Sequence, residues 1–172
     1  MVFKEVKSED LSEALNIISD AKLLLSKESN QWQNGYPNEE VLRDDISTHS
    51  LFGFYEDKEL ISIMALKKGI DSNYSHIEGR WLTMPNENDL CIHRLAVKAS
   101  YYSKGIGDAM IKQAIFYAKA HKNRIIRVDT HKNNLAMRHL IMKNGFIYCG
   151  IVSLQAYADY DDSLRLAFEH SV

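Results

Sequence analysis

A strand that runs through a polar turn into a helix constrains this chain more than any other stretch. Residues 92–97 are mostly apolar, Gly105 and Gly107 end the turn, and apolar residues then recur at helical spacing to about residue 121. The first N–H groups of a helix have no partner inside it, and the helix dipole makes that end positive. Because glycine lets a bulky anion approach the backbone, the turn predicts a phosphate-binding site.

Two glycines do not identify the phosphate ligand. A dinucleotide-binding turn has a third glycine where this chain has Met110, and no Lys-Ser/Thr pair follows as it does in a P-loop. An ordinary tight turn that binds nothing is the alternative. The next segments narrow the choice, because residues 124–130 have the pattern of a strand and residues 134–144 that of a helix.

These segments resemble the GNAT superfamily of N-acetyltransferases, whose acetyl-CoA loop reads Gln/Arg-x-x-Gly-x-Gly/Ala after a Leu-Ala-Val strand end. The corresponding residues here are Leu95, Ala96, Val97, Tyr102, Ser103, Lys104, Gly105, Ile106 and Gly107. A later block of the family reads Asn-x-x-Ala-x-x-x-Tyr-x-x-x-Gly-Phe. Its counterparts here are Asn134, Met137, Ile141, Gly145 and Phe146.

The resemblance implies a fold and a domain organisation. It implies a single domain over residues 1–172, in the α/β class with a GNAT-like acyl-CoA N-acyltransferase fold. The central sheet is expected to be mixed, mostly antiparallel and twisted, with about seven strands flanked by about four helices. The fourth and fifth strands, residues 90–97 and 124–130, are expected to splay apart so that the pantetheine arm of acetyl-CoA enters between them.

Composition excludes several classes of function. With 172 residues, 45% of them hydrophobic, the chain is typical of a globular domain, and its net charge of −2 lacks the basic excess of a nucleic-acid binder. No signal-peptide region and no apolar run of about 18 residues is present, so no membrane contact is expected. Cys91 and Cys149 lack the spacing of metal ligands, so we expect no metal site and a reducing, cytoplasmic location.

The resemblance also assigns roles in binding acetyl-CoA, the expected cosubstrate. Backbone N–H groups of residues 102–107 would bind the pyrophosphate, and an N–H group near residues 95–97 would polarise the thioester carbonyl. Tyr102 replaces the usual Gln/Arg. Backbone N–H groups of the turn can still bind the pyrophosphate, but the contact that a Gln or Arg side chain would make is not retained. Lys104 is either a phosphate contact or a solvated lysine. Asn134 would contact the pantetheine, and it also suits a helix N-cap.

The base that accepts the amine proton is the central catalytic assignment. An alkylamine with a pKa near ~10 is protonated at pH 7, so a base contributes roughly 10²–10⁴ in rate. By position, Cys91 corresponds to a glutamate of histone acetyltransferases and His93 to a histidine of arylalkylamine N-acetyltransferases, and alternation puts both on one strand face. We predict His93 as the base. A histidine hydrogen-bonded within the sheet is the alternative, and Cys91 suits a small buried hydrophobe.

The remaining candidates concern the acid and the acceptor. The family's acid is a tyrosine at the position of Ile141, so Tyr148 or Tyr157 would have to protonate the leaving thiolate. Trp32, Tyr36, Tyr74 and Trp81 lie in the two loops expected over the acceptor, where aromatic walls would suit an apolar or cationic amine. Aromatic lids over the core, or a dimer surface, would explain them equally. His131 either lines the acceptor site or faces solvent after its strand.

Three functions are compatible with these features of the sequence. The leading one is an enzyme, an N-acetyltransferase that moves an acetyl group from acetyl-CoA to a primary amine of a small molecule or peptide by direct attack. The second is a non-catalytic acyl-CoA-binding module of the same fold. The third, a dinucleotide-binding protein, is disfavoured by Met110 and by the hairpin predicted before the glycine turn. A homodimer is the working expectation for the assembly.

Overall fold

The secondary structure contains the predicted helices and strands. The computed structural model describes residues 1–155 and 163–172, and within them it has four α-helices and nine β-strands. The helices are α1 (Leu11–Leu25), α2 (Glu39–Ser47), α3 (Ile106–Ala120) and α4 (Leu135–Lys143). The strands are β1 (Val2–Glu5), β2 (Leu51–Glu56), β3 (Glu59–Leu60), β4 (Ser62–Lys68), β5 (Glu78–Gly79), β6 (Leu90–Val97), β7 (Ile125–Thr130), β8 (Ile147–Ser153) and β9 (Leu164–Ser171). Tyr157 and most of a turn predicted at 161–163 lie outside the described residues.

The strands form one mixed sheet, which confirms the predicted fold class. Its order is β1-β2-β4-β6-β7-β9-β8-β5, with β3 paired to β2. Antiparallel registers join β1 to β2, β2 to β4, β7 to β9, β8 to β9 and β5 to β8, whereas β6 and β7 are parallel. Seven strands were predicted, and the additional β3 and β5 have two residues each, too few to produce an alternating pattern.

The parallel pair β6–β7 has a short register. It joins Leu90 to Ile126, Cys91 to Arg127 and Ile92 to Val128, whereas β6 itself continues to Val97. The register therefore ends five residues before the end of β6, which agrees with the prediction that these two strands splay apart.

The chain divides into two compact units. The first comprises residues 1–66 and 93–113, and the second comprises residues 67–92 and 114–172. In the first unit, α1 buries Ala14, Ile17, Ile18 and Ala21, the i, i+3, i+4, i+7 face of an amphipathic helix. The core of the second unit contains Tyr74, Trp81, Cys91, Cys149, Val152 and Ala167. The single-domain organisation stays a prediction.

Asparagine side chains start two of the helices. Asn38 Oδ1 accepts the N–H of Val41 at 3.0 Å before α2, and Asn134 Oδ1 accepts the N–H of Met137 at 3.1 Å before α4. Each bond satisfies one N–H that the helix itself leaves without a partner. Over the described part of the chain, the helices are too short or too polar to cross a bilayer.

Candidate active site

The turn between β6 and α3 is held by bonds within the first unit. The N–H of Lys98 donates to the Ile61 carbonyl at 2.9 Å, and a single 3-10 turn, Ala99–Tyr101, follows. The N–H of Ala99 donates to Asp20 Oδ2 on α1 at 2.8 Å, and the Tyr101 hydroxyl donates to Glu56 Oε2 at the end of β2 at 2.9 Å. The turn is therefore fixed from two sides.

A run of backbone donors at the start of α3 has no acceptor. Tyr102 and Lys104 use their N–H groups inside the turn, donating to Ala99 O at 3.2 Å and Tyr101 O at 3.4 Å. Among the residues that the structure describes, the backbone N–H groups that make no hydrogen bond there are those of Ser103, Gly105, Ile106 and Gly107. Donors of this kind, at the positive end of a 15-residue helix, suit a phosphate oxygen.

The turn that carries these donors also contains two notable side chains, Lys104 and Tyr102. Lys104 Nζ lies 4.6 Å from the centre of the Tyr101 ring, which keeps a positive charge at the turn. The Tyr102 hydroxyl is buried and has no partner within residues 1–155 and 163–172, and burial raises the pKa of Tyr102. Tyr102 thus contributes a packed ring where the family usually has an amide or a guanidinium.

Within β6, one residue leaves the extended conformation. Arg94 has a φ of +52°, a left-handed backbone that costs a residue with a side chain about 1–2 kcal/mol. Its guanidinium donates from Nε to Asp45 Oδ2 at 2.5 Å, from Nη2 to Asp45 Oδ1 at 2.8 Å, and from Nη1 to the Tyr36 hydroxyl at 2.8 Å. The burial pattern nevertheless alternates from His93 to Val97, with Arg94 and Ala96 buried and the residues around them half-buried.

The predicted base and the strand end lie on either side of this residue. His93 is half-buried, Leu95 and Val97 are half-buried, and Ala96 packs into the core of the first unit. The first unit thus brings together His93, the strand end and the donor-rich turn in 15 consecutive positions, from 93 to 107.

The aromatic residues predicted at the acceptor are mostly buried. Trp32 is 9% exposed and belongs to the core of the first unit, whereas Tyr36 is 36% exposed with its hydroxyl on Arg94. In the second unit, Tyr74 donates its hydroxyl to Asp129 Oδ2 at 2.8 Å, and Trp81 packs beside it. These positions favour the core alternative for Trp32, Tyr74 and Trp81, and leave Tyr36 as the partly exposed aromatic residue of its loop.

The other predicted site residues lie in the second unit. Asn134 caps α4, and Met137 is half-buried on that helix. Tyr148 is 52% exposed, with its ring edge-on to Phe168 at 5.6 Å. His131 is only 5% exposed, and its Nδ1 accepts the N–H of Asn133 at 3.1 Å, so the alternative that it faces solvent is wrong.

Cys91 is a buried thiol in the second unit. It is 2% exposed, and its Sγ lies 3.7 Å from the Gly69 carbonyl oxygen. Burial, reinforced by nearby carboxylates, raises the pKa of Cys91 to about 12. The side chain is therefore a neutral thiol at physiological pH, as expected of a small buried hydrophobe.

Two arginines that form buried ion pairs carry no prediction from the sequence. Arg94 is described above, and Arg127 on β7 bonds to Asp89, to Glu169 Oε2 at 3.0 Å and to Thr83 Oγ1 at 3.0 Å. An arginine inside a predicted strand that is otherwise mostly apolar, as at residues 90–97 and 125–128, is the signal that could have identified both.

With this geometry in place, the comparisons assign the family. The chain belongs to the GNAT acetyltransferase family, because the model described as "Acetyltransferase (GNAT) family" matches residues 20–146. Enzymes of this family use acetyl-CoA. A search of curated proteins found no match.

Solved structures extend the likeness to the whole chain. A GNAT-family acetyltransferase from Streptococcus agalactiae 2603 is 28% identical, with a TM-score of 0.87 over 99% of this chain and 95% of that one. A ribosomal-protein-alanine N-acetyltransferase from Brucella melitensis is 14% identical, with a TM-score of 0.71 over 100% of both chains. A putative acetyltransferase from Salmonella typhimurium, solved with its cofactor acetyl-CoA, is 12% identical, with a TM-score of 0.68 over 99% and 92%. The last two likenesses concern the fold alone.

Proposed function

We propose that this protein is an acetyl-CoA-dependent N-acetyltransferase that acts on a primary amine of a small molecule or peptide. The observation that carries the proposal is the set of backbone donors without acceptors at Ser103, Gly105, Ile106 and Gly107. Together with the helix dipole and Lys104, they fit the pyrophosphate of a coenzyme A thioester. A cytoplasmic location is part of the proposal, supported by the two free cysteines, Cys91 and Cys149.

The reaction is a direct attack of the neutral amine on the thioester carbonyl. A C–N bond forms, the C–S bond breaks, the amine gives up a proton and the thiolate takes one. In our proposal His93 accepts the amine proton, a backbone N–H of residues 95–97 polarises the carbonyl, and Tyr148 supplies the proton to the thiolate. By resemblance to the family, Asn134 and Met137 would contact the pantetheine arm, and Tyr36, the partly exposed aromatic residue of its loop, would contact the acceptor amine.

A non-catalytic acyl-CoA-binding module is the second candidate. It is favoured by Ile141, which is fully buried at the position where the family has its tyrosine acid. A protein of this kind would bind the coenzyme through the same donors and release no thiol in the presence of amines.

Ligand binding tests the site at Gly107. Acetyl-CoA and CoA should raise the melting temperature and NAD should not, since a ligand at about 100 times its Kd adds roughly 2.7 kcal/mol of stability. Gly107→Val should remove the acetyl-CoA effect, because a branched side chain would stand between the anion and the donors. Ala120→Val, at the exposed end of the same helix, is the matched control and should bind normally. Normal binding by Gly107→Val would place the coenzyme elsewhere.

Turnover separates the enzyme from the binding module. Release of free CoA over a panel of amines should be observed for the wild type. His93→Ala should lower turnover at pH 7 by about 10²-fold or more, with acetyl-CoA affinity retained, because a base acts on the amine and not on coenzyme binding. Unchanged turnover in His93→Ala would remove this side chain from the mechanism.

A further inference from the structure

We propose that Arg94 is a positioning residue for the acceptor amine. Held by Asp45, it fixes the backbone turn that follows His93 and at the same time holds the hydroxyl of Tyr36. The inference rests on the proposed N-acetyltransferase function and adds to it the residues that set acceptor binding.

The Arg94–Asp45 pair has the geometry of a rigid clamp. Asp45, on α2, is fully buried and Arg94 is 9% exposed. Nε and Nη2 bond the two carboxylate oxygens separately, at 2.5 and 2.8 Å. A two-point contact of this kind fixes the plane of the guanidinium, which a lysine at the same position could not do. Because buried ion pairs are weak contributors to net stability, orientation is the property that such a clamp supplies best.

The third bond of the guanidinium reaches the loop before α2. Nη1 donates to the Tyr36 hydroxyl at 2.8 Å, so the hydroxyl end of the Tyr36 ring is held by Arg94. The residue remains 36% exposed. The clamp therefore orients an aromatic side chain that is available to a ligand at the surface of the first unit.

The backbone of Arg94 gives the clamp its second effect. Arg94 has a φ of +52°. It follows the part of β6 that is in register with β7, which ends at Ile92, and it precedes the strand end at Leu95. Anchoring the side chain fixes this left-handed residue, and with it the direction in which His93 and the Leu95 peptide point. The proposed base and the proposed acceptor contact are thus positioned by the same guanidinium.

Tyr36→Phe tests the inference with the least disturbance of the fold, since it removes the hydroxyl and keeps the ring. We expect the KM for the acceptor amine to rise about tenfold, the effect of losing one hydrogen bond to a charged group, and the KM for acetyl-CoA to change by less than about twofold. Tyr55→Phe is the matched control. It removes a hydroxyl bond to Asp10 of 2.6 Å in the same unit, and both KM values should stay unchanged.

Asp45→Asn tests the clamp itself. It should also raise the acceptor KM, and the double variant with Tyr36→Phe should be less than additive, because both changes act through Arg94. Additive effects, or an unchanged acceptor KM in Tyr36→Phe, would overturn the inference while leaving the acetyltransferase intact. If Asp45→Asn does not fold, the Tyr36→Phe result decides alone. A wild type that binds acetyl-CoA and acetylates no amine would overturn both proposals.

Discussion

Cys91 illustrates, at the scale of one residue, how the interior changes side-chain chemistry. By position it corresponds to a catalytic glutamate of related enzymes, yet its pKa of about 12 keeps it protonated. Because folding raises this pKa from 9.0, ionisation of Cys91 in the unfolded chain lowers the free energy of unfolding as the pH rises from about 9 to 12. Below that window the thiol has no such effect.

The reactivity of Cys91 follows from the same shift. In a Cys149→Ser variant, where Cys91 is the remaining thiol, alkylation by iodoacetamide at pH 8 should be roughly 10³-fold slower in the native protein than in urea, because only the thiolate reacts. The rates are measured by mass spectrometry of the labelled chain. Comparable rates in the two states would contradict the burial of Cys91 and reopen a nucleophilic role.

At the scale of secondary structure, what could be predicted depended on local signals. Asn134 marked the start of α4, and the strand, glycine turn and helix around residues 92–121 were read from periodicity. The turn at Arg94 could not be predicted, because no glycine marks its φ of +52° and its partner Asp45 lies 49 residues away in the sequence. Burial of Trp32 and His131 likewise depends on tertiary packing, which the local pattern does not contain.

The two asparagine caps offer a matched pair. Asn38→Ala and Asn134→Ala should each lower the free energy of unfolding by about 1 kcal/mol, since each removes one bond to a helix N–H. Urea denaturation measures this loss. The proposed pantetheine contact predicts that Asn134→Ala alone also weakens acetyl-CoA binding, as followed by calorimetric titration. Equal acetyl-CoA affinity in the two variants would reduce Asn134 to a helix cap.

At the scale of the whole molecule, each unit contains its own buried ion pair. Arg94 and Asp45 lie in the first unit, and Arg127 lies between Asp89 and Glu169 in the second. Removing one partner of such a group leaves a buried charge without compensation, at a cost of about 3–5 kcal/mol, whereas a whole domain is stable by about 5–15 kcal/mol.

Arg127→Leu should therefore remove a large part of the total stability. Arg127 is 1% exposed and its loss leaves two buried carboxylates, so we expect a drop of about 3–5 kcal/mol in urea denaturation. Arg124→Leu, at an exposed position just before β7, is the same substitution and should change stability by no more than about 0.5 kcal/mol. A small effect at Arg127 would mean that apolar packing replaces the network without loss.

The two tryptophans of the chain divide between the two units. Trp32 belongs to the core of the first unit and Trp81 to that of the second, and they are 9% and 8% exposed. Each unit therefore has its own buried intrinsic fluorophore. In a variant that retains only one tryptophan, the emission wavelength shifts when water reaches the core around that residue. The melting of each unit can therefore be followed separately without an added label.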